Sequence, residues 1–327
     1  MPGAKASVMH RIDSLKAPLF VSWQITRDCD LACVHCCTGS APGKRLRDEL
    51  DLGAAMRVAD ELIRGDVPYV MLCGGEPLVV PHFLALAERL GTAGIQLKIE
   101  TNGHQLEGAL IERLARLPVR SVQLSLDGDT PATYARQRPG GSLARAHAAC
   151  RAVRAAGLPL EVTFAPTRLN IHEAQGVIER AVALGAFRFN TGRLMRIGTA
   201  ARLWDKLAPS TEQYQTFRET LARARAAPEN AATEFCYTPF SMTDGLRVSI
   251  EEPPATLLVL PNGWVKVAAA LPHICADLRR DTLAETWRRY RDAWRDESIL
   301  TALHRAIDDE ACHVEANWWQ NRATAPA

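Results

Sequence analysis

An alternation limits this chain's fold more than any other feature of its sequence. Short β-type runs at residues 19–26, 69–73, 96–101, 121–126, 160–164 and 187–193 alternate with amphipathic helical patterns at 52–64, 81–93, 107–116, 143–156 and 171–184. Several helical stretches stop at a glycine, among them Gly65, Gly94, Gly157 and Gly185, and glycine is the residue that most readily adopts a helix-ending left-handed turn. Six β-α repeats of this kind specify an α/β fold with a parallel sheet and right-handed crossovers, either an open doubly wound sheet or a full or partial barrel. Period alone does not choose between them. Polar and glycine-rich residues gather just past the carboxyl ends of the runs, where barrel folds keep their active sites.

The pattern changes near Pro209. An arginine-rich helix is expected over 211–226, irregular chain through Pro254, a hairpin over 256–267 with Asn262-Gly263 as a two-residue turn, and a helix over 283–296. The chain therefore divides into an amino-terminal segment (1–17), a barrel-like region (18–208) and a smaller α+β extension (209–327). A length of 327 residues accommodates one such domain with an appendage.

A net charge of +2 gives no electrostatic footprint for nucleic acid or a membrane surface, so neither is expected as a partner. No run approaches the ~18 apolar residues of a membrane helix, and residues 1–11 do not resemble a signal peptide. The expectation is a cytoplasmic chain whose nine cysteines are thiols or metal ligands, because the cytosol keeps thiols reduced.

The densest chemistry is Cys29-Asp30-Leu31-Ala32-Cys33-Val34-His35-Cys36, directly after the first run. Thiols so closely spaced cannot share one face of a helix or strand, so they must wrap a loop around something that accepts three sulfurs from one side. A four-iron cluster held by three thiolates keeps one iron open, and an open metal position signals chemistry more than structure. A zinc site calls for a second Cys-x2-Cys pair about 12–20 residues away, and the sequence has none. The ferredoxin run Cys-x2-Cys-x2-Cys-x3-Cys-Pro does not match either. Cys37 reads as a bystander, because it and Cys36 can hardly both reach one cluster corner without strain.

The spacing Cys-x3-Cys-x2-Cys, with aromatic His35 before the third cysteine, resembles the signature of the radical S-adenosylmethionine (radical SAM) enzymes. The resemblance implies a partial (βα)6 TIM-like barrel with the cluster loop after its first strand. It implies a [4Fe-4S] cluster on Cys29, Cys33 and Cys36 whose open iron chelates S-adenosyl-L-methionine. An electron from an external donor of flavodoxin or ferredoxin type would then yield a 5′-deoxyadenosyl radical that removes hydrogen from substrate.

Cys73-Gly74-Gly75-Glu76-Pro77 ends the second run, and paired glycines let a backbone approach a ligand closely. Standing alone it could be a plain strand-to-helix turn. The resemblance makes Gly74, Gly75, Glu76 and Pro77 the site of the methionyl amino group, so a branched residue at position 75 should abolish cofactor binding and spare the cluster. Thr101-Asn102-Gly103 and Ser125-Leu126-Asp127-Gly128 are ordinary turn formers taken singly, but they match the family in order and position. By that likeness Asn102 and Ser125 contact the cofactor, Asp127 supports the site and Arg138 clamps the carboxylate. Arg168, Arg193 and Arg196 fall at the expected barrel mouth; most arginines are simply solvated, whereas a functional one would bind carboxylate or phosphate. His147 reads as a surface or packed residue. No residue is assigned to the substrate chemistry itself.

The extension resembles the SPASM or twitch region of peptide maturases, but the cysteine expected five residues after Gly263 is Ala268. Cys236, Cys275 and Cys312, the last near His313 and Glu315, are too few and scattered for two auxiliary clusters, and whether they hold one is left open. The extension is expected to serve as a lid, with Trp264, Trp287, Trp318 and Trp319 packing it or lining a pocket, since radical chemistry needs shielding from water. Only about eighteen residues precede the first run, which leaves no room for a cobalamin or leader-peptide domain and tilts the expected substrate to a natural-product small molecule. The alternative is a biosynthetic maturase of a ribosomally made peptide. From another class comes an electron-transfer protein that keeps the cluster without radical chemistry, although a simple carrier needs no sulfonium site. Decarboxylation, dehydrogenation, epimerisation and carbon–carbon coupling all fit the sequence.

Overall fold

A computed structural model describes residues 11–321, with side chains to Trp319. Most of the expected amino-terminal segment, residues 1–10, and residues 322–327 lie outside this range. Among the described residues ten strands form one sheet: β1 (Phe20–Thr26), β2 (Tyr69–Gly74), β3 (Gln96–Thr101), β4 (Val119–Ser125), β5 (Leu160–Phe164), β6 (Arg188–Gly192), β7 (Glu234–Thr238), β8 (Thr256–Val259), β9 (Trp264–Lys266) and β10 (Ile274–Asp277). Their order is β10-β9-β8-β1-β2-β3-β4-β5-β6-β7. The six expected strands, β1 to β6, lie side by side in chain order, and every pair is parallel. Helices Leu52–Arg64, Phe83–Thr92, Gly108–Leu114, Leu143–Ala155 and Ala174–Ala183 make the crossovers.

Residues after 208 extend both sides of this run. Strand β7 pairs parallel with β6, and β8 pairs parallel with β1. The stretch expected to be irregular thus contains β7 and a helix, Met242–Glu251. Strand β7 is a short edge strand with Phe235 as its one buried residue, too little apolar pattern to stand out. The helix did leave a signal, because Ser241 and Asp244 form a reciprocal capping box. The hairpin turn also differs. Gly263 has φ +84° while Asn262 is not left-handed, and Gly263 N–H donates to Leu260 O at 2.9 Å. This is a three-residue loop ending in a left-handed glycine, where a two-residue type I′ turn would need both residues left-handed. The helix expected over 283–296 stops at Ala293, and Asp296 caps a further helix, Glu297–Asp308.

The strands have two chemically different faces. Val21, Trp23, Leu72, Ile99, Leu124 and Phe189 are buried between sheet and helices, whereas the alternating residues Gln24, Lys98, Glu100, Gln123, Glu161 and Asn190 are polar. Apolar side chains pack the outer layer and polar ones line the concave interior, which stays open as a cavity of about 1000 Å³. Trp287 fixes the extension to the amino-terminal segment through Nε1–H to Leu15 O at 2.8 Å, and Trp264 meets Trp319 edge-on at 6.3 Å. Among the described residues, the aromatic side chains that the extension turns to the cavity are Phe240, Tyr290 and Trp294. Of the four expected tryptophans none lines it: Trp264, Trp287 and Trp319 pack within the extension, and Trp318 is exposed.

Candidate active site

The loop leaving β1 is braced before it reaches its cysteines. Thr26 Oγ1–H and Arg27 N–H both donate to the Glu49 carboxylate, at 2.9 and 2.8 Å. Ala32 N–H and Val34 N–H donate to Pro139 O and Gln137 O at 3.0 and 3.1 Å. Cys29, Cys33 and Cys36 line one cavity, and each sulfur already faces a donor: Leu31 N–H at 3.4 Å, Arg138 Nη1 at 3.5 Å and Ser40 N–H at 3.3 Å. Burial raises the Cys29 thiol and pushes Cys33 up to about 11. Cys37 also lines the cavity; burial takes its thiol to about 12, and its carbonyl accepts from Asn317 Nδ2 at 2.9 Å.

The glycine pair sits where the expectation put it, but its missing side chains open in another direction. A Cβ on Gly74, whose φ is +134°, would lie 2.4 Å from Thr26 O, and one on Gly75 would lie 1.8 Å from Asp28 O. The close approach is between β2 and the cysteine loop, sealed by Gly75 N–H to Thr26 O at 2.8 Å and Glu76 N–H to Asp28 O at 2.9 Å. A side chain at position 75 therefore meets the cysteine loop before it meets any ligand. Glu76 is fully buried and accepts from Thr101 Oγ1–H at 2.7 Å, Asn102 N–H at 2.8 Å and Leu78 N–H at 3.1 Å. Burial pushes its carboxyl up to about 7 against those bonds. Its acceptor capacity goes to joining the β2 and β3 turns. Asn102 in turn donates to Asp30 Oδ1 at 2.6 Å, so the third turn also grips the cysteine loop.

Asp127 gathers the remaining pieces. It is fully buried and accepts from Arg138 Nε and Nη2 at 2.7 and 2.6 Å and from Ala165 N–H at 2.7 Å, and His35 Nε2 lies 3.0 Å away. Burial works against its charge, but Arg138 and His35 outweigh it and hold the carboxyl below the usual range. Arg138 shows the converse: burial opposes its charge, and Asp127 raises it beyond the ordinary guanidinium value. Cys33, His35, Asp127 and Arg138 form one connected cluster, and Ser125, at the end of β4, lines the cavity beside it.

A radical SAM superfamily family model matches residues 23–181. The chain is 35% identical over 200 residues to the mycofactocin maturase MftC of Mycobacterium ulcerans (strain Agy99), covering 61% of this chain and 53% of that protein. It is 31% identical over 327 residues to the PqqA peptide cyclase of Streptomyces rochei, covering 92% of this chain and 85% of that one. This chain belongs to the radical SAM superfamily. It spans about half the length of the MftC proteins it matches. In fold it is similar to the crystal structure of Streptococcus suis SuiB bound to S-adenosylmethionine, with TM-score 0.70 and 14% identity over 91% of this chain and 72% of that one.

Radical SAM enzymes use a [4Fe-4S] cluster and S-adenosyl-L-methionine, and the cavity residues fit both. Among the described residues no group of three or more His, Cys, Asp or Glu side chains converges as a single metal ion requires. A cubane spreads its thiolates more widely, and three sulfurs on one loop beside a common cavity suit it. His35 lines the cavity with a buried Nδ1 that has no partner among the described residues, a polar atom left for a ligand.

Other expected residues are used differently. Arg168 donates to Ala208 O at 3.1 Å and Asp205 O at 3.0 Å, and Arg196 pairs with Glu310 at 3.9 Å over Trp204. Arg193 lines the cavity, stacked over Tyr214. His147 is partly buried in helix Leu143–Ala155. Cys236 and Cys275 stand on β7 and β10, the opposite ends of the sheet order, and Cys312 lies beside Asp309 at 3.5 Å. Ala268 is part of an apolar wall, Val267 to Ala270, along the cavity. The polar interior residues Glu100, Gln123 and Asn190 went unnoticed in the sequence, although polar–apolar alternation along β3, β4 and β6 marked them.

Proposed function

We propose that this chain is a peptide-modifying radical SAM enzyme, a maturase of a ribosomally made peptide, with Cys29, Cys33 and Cys36 as the cluster ligands. Bound there with S-adenosyl-L-methionine, the cluster supplies the electron that breaks the sulfonium bond and so a carbon radical able to take hydrogen from an unactivated position. The protein's own residues create the conditions for that step. Arg138 places positive charge against Cys33, and Asp127 holds Arg138 and His35 in place. Glu76 locks the β2 and β3 turns around the cysteine loop, presenting Gly74, Gly75, Asn102 and Ser125 to the cofactor, while Pro77 is buried behind them and does not line the cavity. The alanine wall and the helix Met242–Glu251 line the cavity and limit the access of water from their side.

The observation that carries the peptide reading is the likeness to a PqqA peptide cyclase across 92% of this chain, extension included. It reverses the order expected from sequence, where a small molecule came first. A flavodoxin- or ferredoxin-type protein is the proposed electron source. The test is anaerobic reconstitution, dithionite, S-adenosyl-L-methionine and each peptide encoded by short reading frames beside the gene. A mass change in one peptide, with a matched rise in 5′-deoxyadenosine, is expected. Cofactor cleavage that no such peptide stimulates, together with turnover of a non-peptide metabolite, would refute the reading.

A further inference from the structure

Glu100 stands on the interior side of β3, one residue before the Thr101-Asn102 turn, and lines the cavity. Gln123 Nε2 donates to its Oε1 at 2.9 Å. Gln123 is itself fixed, because its Oε1 accepts from Asn190 Nδ2 at 3.1 Å. Asn190 also donates to Glu161 Oε2 at 2.5 Å, and Lys98 Nζ reaches the same oxygen at 2.8 Å. With its carbonyl engaged on one side, the Gln123 amide must present N–H to Glu100 on the other. The network therefore has a direction, and it ends at Glu100. Among the described residues no donor meets Oε2 of that carboxylate. The protein encloses Glu100 enough that burial raises its pKa from the ordinary value, with Lys98 opposing. A partly desolvated carboxylate oxygen without a donor is unfavourable, and Val267, Ala268 and Leu258 on the cavity wall have no side-chain donor to offer. The residues assigned to cluster and cofactor sit at or beyond the carboxyl ends of the strands, and none of them donates to this oxygen.

We propose that Glu100 determines specificity by accepting a hydrogen bond from the substrate residue that enters the cavity, which must therefore carry a donor at its tip, such as a phenol, ammonium, indole or amide. This rests on the peptide reading above. A polar site left unpaired by the wrong substrate discriminates strongly. For one bond to a charged acceptor the preference over a donor-free isostere is about 10- to 100-fold.

The test uses the anaerobically reconstituted full chain loaded with S-adenosyl-L-methionine and two isostere pairs as probes. These are N-acetyltyrosinamide against N-acetylphenylalaninamide, and N-acetyllysinamide against N-acetylnorleucinamide, with Kd read by saturation-transfer NMR. In at least one pair the wild type should bind the donor-bearing member at least tenfold more tightly, and Glu100→Leu should lose the preference. Glu100→Gln, which keeps shape and one acceptor, should lie between them, and S-adenosyl-L-methionine affinity reports that each variant is folded. Equal binding within both pairs, or a preference that survives in a folded Glu100→Leu protein, overturns the proposal. If none of the four probes binds while S-adenosyl-L-methionine does, single capped residues are not held on their own, and the peptide reading is judged separately by the modification assay. Glu100 is then judged on n-butylammonium against butyronitrile, where preference for the ammonium supports the assignment and equal binding overturns it.

Discussion

Replacing Gly75 by alanine adds a single carbon at the seam between β2 and the cysteine loop. That carbon would sit 1.8 Å from Asp28 O, whereas a carbon–oxygen contact needs ~3.3 Å, so the two segments must part by about 1.5 Å. The seam is closed by Gly75 N–H to Thr26 O at 2.8 Å and Glu76 N–H to Asp28 O at 2.9 Å. Widened by that amount, both exceed hydrogen-bonding distance. A buried backbone group left unsatisfied costs about 1–3 kcal/mol, so losing both bonds costs about 2–6 kcal/mol, a large share of the ~5–15 kcal/mol that holds a domain together. At about 2–4 °C per kcal/mol for a chain somewhat smaller than this one, the melting temperature should fall by about 4–24 °C. Because the moved segment carries Cys29, iron and sulfide content should drop along with S-adenosyl-L-methionine binding. Iron and sulfide assays, calorimetric titration and thermal melts on anaerobically reconstituted protein measure all three. Gly53→Ala serves as the control, since its added carbon would have only ordinary contacts, 3.5 Å or more, in an exposed helical turn. A Gly75→Ala protein with full cluster content and an unshifted melt would refute the reasoning. A protein that kept its cluster and lost only cofactor binding would restore the expectation drawn from sequence.

Alanine at Cys29, Cys33 or Cys36 should each abolish the cluster while Cys37→Ala keeps it, and the wild type should hold about four irons per chain, the content of one four-iron cluster. A second Mössbauer component that disappears in Cys275→Ala or Cys312→Ala would contradict that stoichiometry. Asp127→Asn leaves the buried Arg138 without its counter-charge and should cost about 3–5 kcal/mol by urea denaturation. The folded-state pKa of Asp127 lies below its ordinary value of 3.8, so its contribution is present above that value and lost as pH falls below it. The variant should accordingly lack part of the wild type's acid-induced loss of stability, and identical acid profiles would argue against the pairing. Lys266 is buried, with Nζ donating to Ala269 O and Ala316 O at 2.9 Å each. Lys266→Met strands those carbonyls and should release residues 310–321 to limited proteolysis. Burial lowers the Lys266 pKa from 10.5 to about 7, so the wild type alone should gain stability as pH rises between those values; equal gain in the variant would rule Lys266 out as the source.

Local patterns carried much of this protein in the sequence itself. The six strands of the barrel run were legible because each is a short apolar run, all but the first with a glycine close by, and helices Leu52–Arg64 and Thr211–Ala226 fall on the expected residues because their apolar period and caps are local properties. The cysteine spacing, the paired glycines and the Asn-Gly and Asp-Gly turns could likewise be read directly, since turn chemistry depends on a few consecutive residues.

What those turns do to one another was decided only by folding. Glu76 spends its carboxylate on Thr101 and Asn102, Asn102 reaches back to Asp30, and Arg138 joins Asp127 to Cys33 across 105 positions of sequence. Such contacts depend on the parallel register of neighbouring strands, which no local pattern encodes. The same holds for Gly75, whose missing side chain makes room for another stretch of backbone, for β7, whose weak apolar pattern does not announce it and which gains its place by pairing with β6, and for the pairing of the expected hairpin's first strand, β8, with β1. The alternation along β3 was visible in the sequence, but only the curvature of the sheet turns its polar face into an interior, and only there is Glu100 a carboxylate enclosed by protein at the edge of a cavity.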